Sequence, residues 1–229
     1  MLHFIRRRLL IVPFEVPHLG KPLRARNHSL TIQLANVTST HHRRPRPPRR
    51  LRRPRRPLTQ LGATTRLVRT PEDLTNLDGL VIPGGESTTF LKHLERAGFY
   101  DALNAFVHTK PTFGTCAGTI LLAKDVVYPS QRSFGALDIA VERNAYGRQN
   151  DSTILTADTA LPGGPLEMVF IRAPRITRLA SDIETLATRD NFPTLIRKGQ
   201  ILAATFHPEL SDDPRVHQLF LDIVCESSH

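Results

Sequence analysis

Near the middle of the chain, Pro111 to Lys124 read PTFGTCAGTILLAK. A strand-like run, Pro111 to Thr115, meets a helix-like run, Ala117 to Lys124, and Cys116 stands at the junction among the small residues Gly114, Ala117 and Gly118. A sharp strand-to-helix turn of this kind holds a side chain clear of the sheet, and a helix N-terminus favours the thiolate over the thiol. The N–H groups of the first helical turn have no partner inside the helix, so they can also receive a developing oxyanion. Cys116 is therefore a candidate nucleophile. The competing reading is a buried structural cysteine, since free Cys is among the most buried residue types.

Two further stretches bear on that choice. Ile201 to Leu210, ILAATFHPEL, is an apolar strand ending in His207, Pro208 and Glu209. A histidine with a carboxylate two residues on can serve a distant thiol as base and orienter, because such partners meet in space. Gly79 to Thr89, GLVIPGGESTT, runs from a buried-type strand through a glycine-rich turn into a helix, and Gly84 and Gly85 would let backbone approach a ligand closely. Strands alternate with helices through short connections: Thr64 to Val68, Leu80 to Ile82, a helix from about Thr88 to Ala97, another over Asp101 to His108, then the Cys116 strand. That order predicts an α/β fold, a mostly parallel sheet flanked by helices, with ligands at the carboxyl ends of the strands. The second half adds strands at Phe134 to Val141, Met168 to Arg172, Thr194 to Arg197 and Ile201 to Phe206, with Lys198 and Gly199 in a hairpin turn.

In this order, the PGGES turn, the GTCAG elbow and the terminal HPE resemble the class I, triad-type glutamine amidotransferases, a flavodoxin-like fold. Within them, GTCAG, PGGEST, VERNAYGRQ (Val141 to Gln149), FIRAP (Phe170 to Pro174) and FHPEL together resemble the glutaminase subunit of pyridoxal 5'-phosphate synthase, from about Leu58 to the C-terminus. The resemblance implies a Cys116, His207, Glu209 triad, with the N–H of Ala117 as an oxyanion donor. It implies that Gly85, Glu86, Ser87, Arg143, Ile171 and Arg172 hold L-glutamine. An arginine suits the α-carboxylate, because its planar fork can make two parallel bonds; a structural ion pair is the competing reading for Arg143 and Arg172. The resemblance also implies no cofactor, and a hetero-oligomer in which ammonia passes to the barrel-shaped synthase partner. A glutaminase serving another pathway is the alternative.

The formal net charge of +10 suggests nucleic acid, but its distribution does not. Residues 1–57 carry fifteen Lys and Arg against the single acid Glu15, and the remainder is mildly acidic, which suits a small-molecule enzyme better than a polyanion binder. His41 to Pro57, HHRRPRPPRRLRRPRRP, alternates Arg with Pro, which removes backbone donors and leaves no apolar period to bury. The expectation is two parts: a basic segment 1–57, disordered or foreign to the domain, and an amidotransferase domain 58–229. A nucleic-acid-binding arm on an inactive homologue and a targeting presequence are the other readings of that segment. The resembling family opens on a strand, a Leu-Gln-Gly turn that supplies an oxyanion donor, and a helix. No such turn occurs here; the nearest stand-in for the strand is Ser29 to Val37, SLTIQLANV, while LTQLG (Leu58 to Gly62) reads as the tail of the helix.

Two cysteines, Cys116 and Cys225, argue against a disulfide framework and for a reducing, cytoplasmic setting, and no apolar run approaches the roughly 20 residues of a spanning helix. Neither CxxC nor HExxH occurs among the scattered histidines, so no metal is expected. The last helix should start near Pro214 with Asp212 or Asp213 as cap, bury Val216, Leu219, Phe220 and Ile223, and leave His217 solvated.

Overall fold

The structure, a computed structural model, describes residues 8–11, 33–36, 57–96, 98–143, 145 and 152–227. Its strands, in chain order, are β1 (Arg8–Ile11), β2 (Gln33–Asn36), β3 (Thr64–Leu67), β4 (Gly79–Ile82), β5 (Thr112–Thr115), β6 (Ala123–Val127) and β7 (Leu137–Glu142). They continue as β8 (Ser152–Ala157), β9 (Leu166–Ile171), β10 (Arg175–Leu179), β11 (Glu184–Arg189), β12 (Phe192–Lys198) and β13 (Ile201–Ala204). The helices are α1 (Pro57–Gln60), α2 (Ser87–Arg96), α3 (Tyr100–Thr109), α4 (Ala117–Leu122) and α5 (Arg215–Glu226).

Eight of these strands form one sheet in the order β11-β12-β13-β5-β4-β1-β2-β3. Its centre is parallel: β13 runs beside β5, β5 beside β4, and β4 beside β1. The expected hairpin closes β12 onto β13 with Lys198 opposite Ile201 and Gly199 at φ 53° in the turn. A second sheet, β10-β7-β6, and a hairpin of β8 with β9 complete the strands.

Central parallel strands are covered on both faces and read as continuous apolar runs, as GLVI of β4 and ILAA of β13 do. Their side chains alternate between two cores. Leu80, Ile82, Ile201 and Ala203 join a cluster with residues of α2, α3 and α4. Val81, Phe113, Leu202, Ala204 and Phe206 join the cluster that packs on α1 and α5. Phe113, Phe206 and Phe220 are completely buried there, each worth about 1.5–3 kcal/mol of transfer free energy.

The structure departs from the sequence reading at several points. The slot beside β4 is filled by Arg8–Ile11, whose RLLI carries the apolar run a central strand needs. Ser29 to Val37 does not take that slot; its segment Gln33–Asn36 lies one strand further out, antiparallel between β1 and β3. Two short segments of 1–57 thus pair with the sheet, and the tract 41–56 lies outside the described residues. The helix after Cys116 stops at Leu122 rather than Lys124, because Ala123–Val127 turns into a strand against β7. Strands β8 and β11 escaped notice, since STILTA and ETLATR mix polar with β-branched residues on half-exposed surfaces.

At the start of α5 the N-cap position falls on Pro214 and not on Asp212 or Asp213, and no side chain caps the helix; Asp213, one residue earlier, accepts the N–H of Arg215 on Oδ1 at 3.0 Å. Arg215 itself donates to the carbonyls of Pro162, Gly164 and Pro165 and to the Asp213 carboxylate. This fork ties the loop before β9 to the segment just beyond His207 and Glu209. Among the described residues, no helix is long and apolar enough to cross a membrane.

Candidate active site

Cys116 leaves β5 and enters α4 at φ 48°, ψ −104°, in a region that L residues avoid and that costs about 1–3 kcal/mol to hold. What holds it is local packing. The Cys116 N–H donates to the Ala204 carbonyl at 2.8 Å, and the buried Thr119 hydroxyl donates to the same carbonyl at 2.7 Å. Gly118 lies against the Ile82 carbonyl so closely that a Cβ would overlap it, so α4 can sit on β4 only with glycine there. Cys116 is 6% exposed, which fits both a nucleophile and the structural cysteine weighed against it; its neighbours decide.

His207 lies just beyond β13, the hydrogen-bonded neighbour of β5, so the parallel ladder places it next to Cys116. Its N–H donates to the Val169 carbonyl at 2.8 Å, and its Nδ1 lies 2.8 Å from Glu209 Oε1. With Nδ1 taken by Glu209, Nε2 is the atom left to face the sulfur, and Cys116 lies near enough to act on the ring's protonation. Burial acts to lower the His207 pKa; the bonds and charges of Cys116 and Glu209 outweigh it and push it up to about 10. His207 is thus an imidazolium at neutral pH. Because this value is raised above the ordinary 6.5, the pair's contribution to stability is complete below about pH 6.5 and is lost as pH rises through about 10. Denaturant titrations should show wild type losing its stability margin over His207→Asn across that alkaline window.

The PGGES turn closes the other side. A Cβ on Gly84 would strike the His207 ring and crowd the Cys116 Cβ, while its N–H donates to Thr115 Oγ1 at 3.1 Å. Gly84→Ala should therefore displace His207 and cut turnover by about 100-fold, as misplacement of a reacting group by about 1 Å does, with little change in melting temperature. Steady-state kinetics alongside calorimetric melting checks this. Gly84, Gly85, Glu86 and Ala117, with the apolar Phe90 and Leu121, line a small opening next to the elbow.

The other expected site residues gather around it. Glu86 caps α2: its carboxylate accepts the N–H of Thr88 at 3.1 Å and of Thr89 at 2.7 Å. Burial acts to raise its pKa, but the bonds from Thr89 and Thr88 bring it below the usual range. Arg143 Nη2 donates to Glu86 Oε1 at 3.0 Å and to Thr88 Oγ1 at 2.9 Å, the ion pair the sequence weighed against substrate binding. Ile171 presents its carbonyl to the Cys116 thiol, 3.9 Å from Sγ. Arg172 comes next at φ 44° with an exposed side chain. The Ser87 hydroxyl is 2% exposed and donates to Gln131 Oε1 at 2.8 Å. Gln131, Thr115 and Thr119 carried no sequence signal, because each acts through a contact between segments far apart in the chain. No group of three or more potential metal ligands occurs among the described residues.

His217 is a correction. It is 3% exposed, edge-on to Phe113 with ring centroids 6.0 Å apart, and burial pulls its pKa down to about 4 although the Glu209 charge acts to raise it. The signal was available: His217, Phe220, Leu221 and Val224 form an i, i+3, i+4, i+7 stripe, all buried.

A protein of Koribacter versatilis named pyridoxal 5'-phosphate synthase subunit PdxT is 60% identical over 167 residues, 73% of this chain and 86% of that protein. Proteins of the same name from Solibacter usitatus and Thermotoga maritima are 51% and 47% identical, covering 88% and 90% of their lengths. A crystal structure described as a glutamine amidotransferase superposes with a TM-score of 0.69 at 43% identity, over 74% of this chain and 90% of that one. A Thermoplasma acidophilum crystal structure, described as one component of a GMP synthase, shares the fold at 21% identity and TM-score 0.54, over 76% of this chain and 87% of that one. Residues 51–226 match the SNO glutamine amidotransferase family, and with relatives this similar over most of their length, the chain belongs to that family.

Proposed function

We propose that this chain hydrolyses the side-chain amide of L-glutamine to glutamate and ammonia, and hands the ammonia to a pyridoxal 5'-phosphate synthase partner. The observation that carries the reading is the line of Cys116, His207 and Glu209 at a strained elbow beside the PGGES opening. The names of the relatives support the pathway and the synthase partner.

In this reading the Cys116 sulfur attacks the carboxamide carbon, and the oxygen becomes an oxyanion facing the N–H of Ala117. His207, carrying the proton given up by the Cys116 thiol, delivers it to the departing nitrogen, so that ammonia leaves and a thioester remains. It then takes a proton from water, whose oxygen attacks the thioester and frees glutamate. Glu209 fixes the ring and stabilises its cation. Glu86, with its lowered pKa, suits the substrate ammonium; Arg143 suits the α-carboxylate, with Gly85, Ser87, Ile171 and Arg172 around them. The reading assigns no cofactor and no nucleic acid to this chain, and places it in the cytoplasm.

The test is glutamate release from glutamine with the synthase partner present, together with transfer of nitrogen-15 from labelled glutamine into the partner's product. Absence of glutamate release in a preparation whose partner makes product from free ammonia overturns it. For the subsite, Arg143→Ala in a Cys116→Ala background should weaken glutamine binding by about 1.5–3 kcal/mol, read by calorimetry. An unchanged dissociation constant would return Arg143 to a purely structural ion pair.

We also propose that residues 58–229 form the catalytic domain and that 1–57, although Arg8–Ile11 and Gln33–Asn36 pair with its sheet, is a basic segment not native to it. The start of the family match at residue 51 supports the boundary.

A further inference from the structure

Glu209 uses one oxygen on His207, and its other, Oε2, is buried without a hydrogen-bond partner among the described residues. The same is true of His217 Nδ1, on the buried face of α5. An ionised carboxylate oxygen left unpaired is among the more expensive buried groups, and so is an unpaired imidazole nitrogen. The two defects are complementary. A neutral imidazole has one N–H to give, and Glu209 is the charge whose field reaches the His217 ring. His217 is otherwise surrounded by Phe113 and the apolar cluster of Val216, Phe220 and Leu221, which offers nothing to a ring nitrogen.

We propose that His217 is a positioning residue for the triad: its Nδ1–H, through one ordered water, holds Glu209 Oε2, so that Oε1 stays aimed at His207. The inference rests on the triad reading. It extends the line of side chains to four, from the sulfur through His207 and Glu209 to a neutral histidine in the core. The neutral state is what the role requires. A cation there would compete with His207 for the carboxylate, whereas a neutral donor leaves the carboxylate charge to the catalytic ring. The burial that depresses His217 keeps it neutral across the working range.

The groups that set the outcome are few. Glu209 faces both rings, Cys116 faces His207, and Phe113 faces His217 from β5. Removing His217 leaves Glu209 Oε2 unpaired and weakens the carboxylate's hold on His207.

The experiment is a mutant cycle in the full chain with its synthase partner, assayed by glutamate release. His217→Leu should lower kcat about tenfold with KM for glutamine within twofold, and move the alkaline limb of kcat to lower pH by about one unit, a shift that loss of packing alone does not produce. His217→Asn, which keeps an N–H near the Nδ1 position, should recover most of the rate. In a Glu209→Gln background, His217→Leu should cost nothing further. Equal kcat and equal pH profile in wild type and His217→Leu overturn the proposal, as does a loss that persists undiminished in the Glu209→Gln background. If His217→Leu does not fold, the nitrogen-15 spectrum of histidine-labelled wild type decides. His217 should show a protonated, hydrogen-bonded Nδ1 whose signal moves in Glu209→Gln, and an unmoved signal sinks the idea. A Glu209→Gln enzyme with full activity would instead sink the triad reading itself.

Discussion

Cys116→Ala abolishes glutamine hydrolysis, with an expected fall in kcat on the order of 10⁴-fold or more, as removal of a nucleophile from a concerted triad does. The fold should survive, because Cys116 makes its structural bonds through its backbone: the N–H to Ala204 and the carbonyl to Thr119 and Ile120. His207→Asn should come close to the same loss. In the proposed mechanism His207 supplies the proton that the departing nitrogen needs, and Cys116 and Glu209 are the side chains that act on its ring. The two losses should not add, since each removes the same charge pair. Glutamate release measured with the partner present, beside circular dichroism of both variants, separates chemistry from folding. Retained turnover in Cys116→Ala would remove the triad.

This half of the site was legible in the sequence because its signals are local. The Gly114 to Gly118 elbow must be a tight turn wherever it occurs, and a histidine and a glutamate spaced by one proline after an apolar strand can converge only at that strand's end. The central alternation of strand and helix was legible for the same reason. The features that escaped depend on distant pairing. RLLI at Arg8–Ile11 is a short apolar run like many others, and nothing in its own residues says that it lies beside GLVI of β4. The engagement of Ser87 by Gln131 joins residues 44 apart in sequence. His217 failed differently: its place on the buried stripe was readable, but a polar residue type was allowed to outweigh its position.

The second large effect concerns the N-terminus. Replacing residues 1–57 with a family-like strand, Leu-Gln-Gly turn and helix should raise glutaminase kcat by about 10²–10³-fold, the equivalent of about 2.7–4 kcal/mol for one oxyanion donor. The reason lies in the residues directly after β1. Arg8–Ile11 pairs with β4 and so closes the parallel centre, but the chain then reads VPFEVP, with no Leu-Gln-Gly turn to deliver a second N–H toward the sulfur. The Ala117 N–H is left as the one oxyanion donor assigned to this chain. Solubility should improve in the same replacement, since a full first strand and helix seal β4 over a longer edge than a four-residue strand does. Rates and soluble yields of the two proteins, each with the synthase partner, make the comparison. Equal rates would mean that the native N-terminus already provides the donor, and that 1–57 belongs to the domain.

Cys116 and His207 follow the ends of β5 and β13, two strands joined by a continuous parallel ladder from Thr112 with Ile201 to Thr115 with Ala204. Their separation is therefore set by backbone hydrogen bonding, through the ladder at the centre of the sheet, where strands lie about 4.8 Å apart, and through the bonds from the N–H of Thr205 to Thr194 and of His207 to Val169 just beyond it. Loops can fray, lengthen or be exchanged without changing the reach of His207 to the sulfur. A molecule weakened by heat or denaturant keeps the two aligned until the ladder itself opens, and then loses both together.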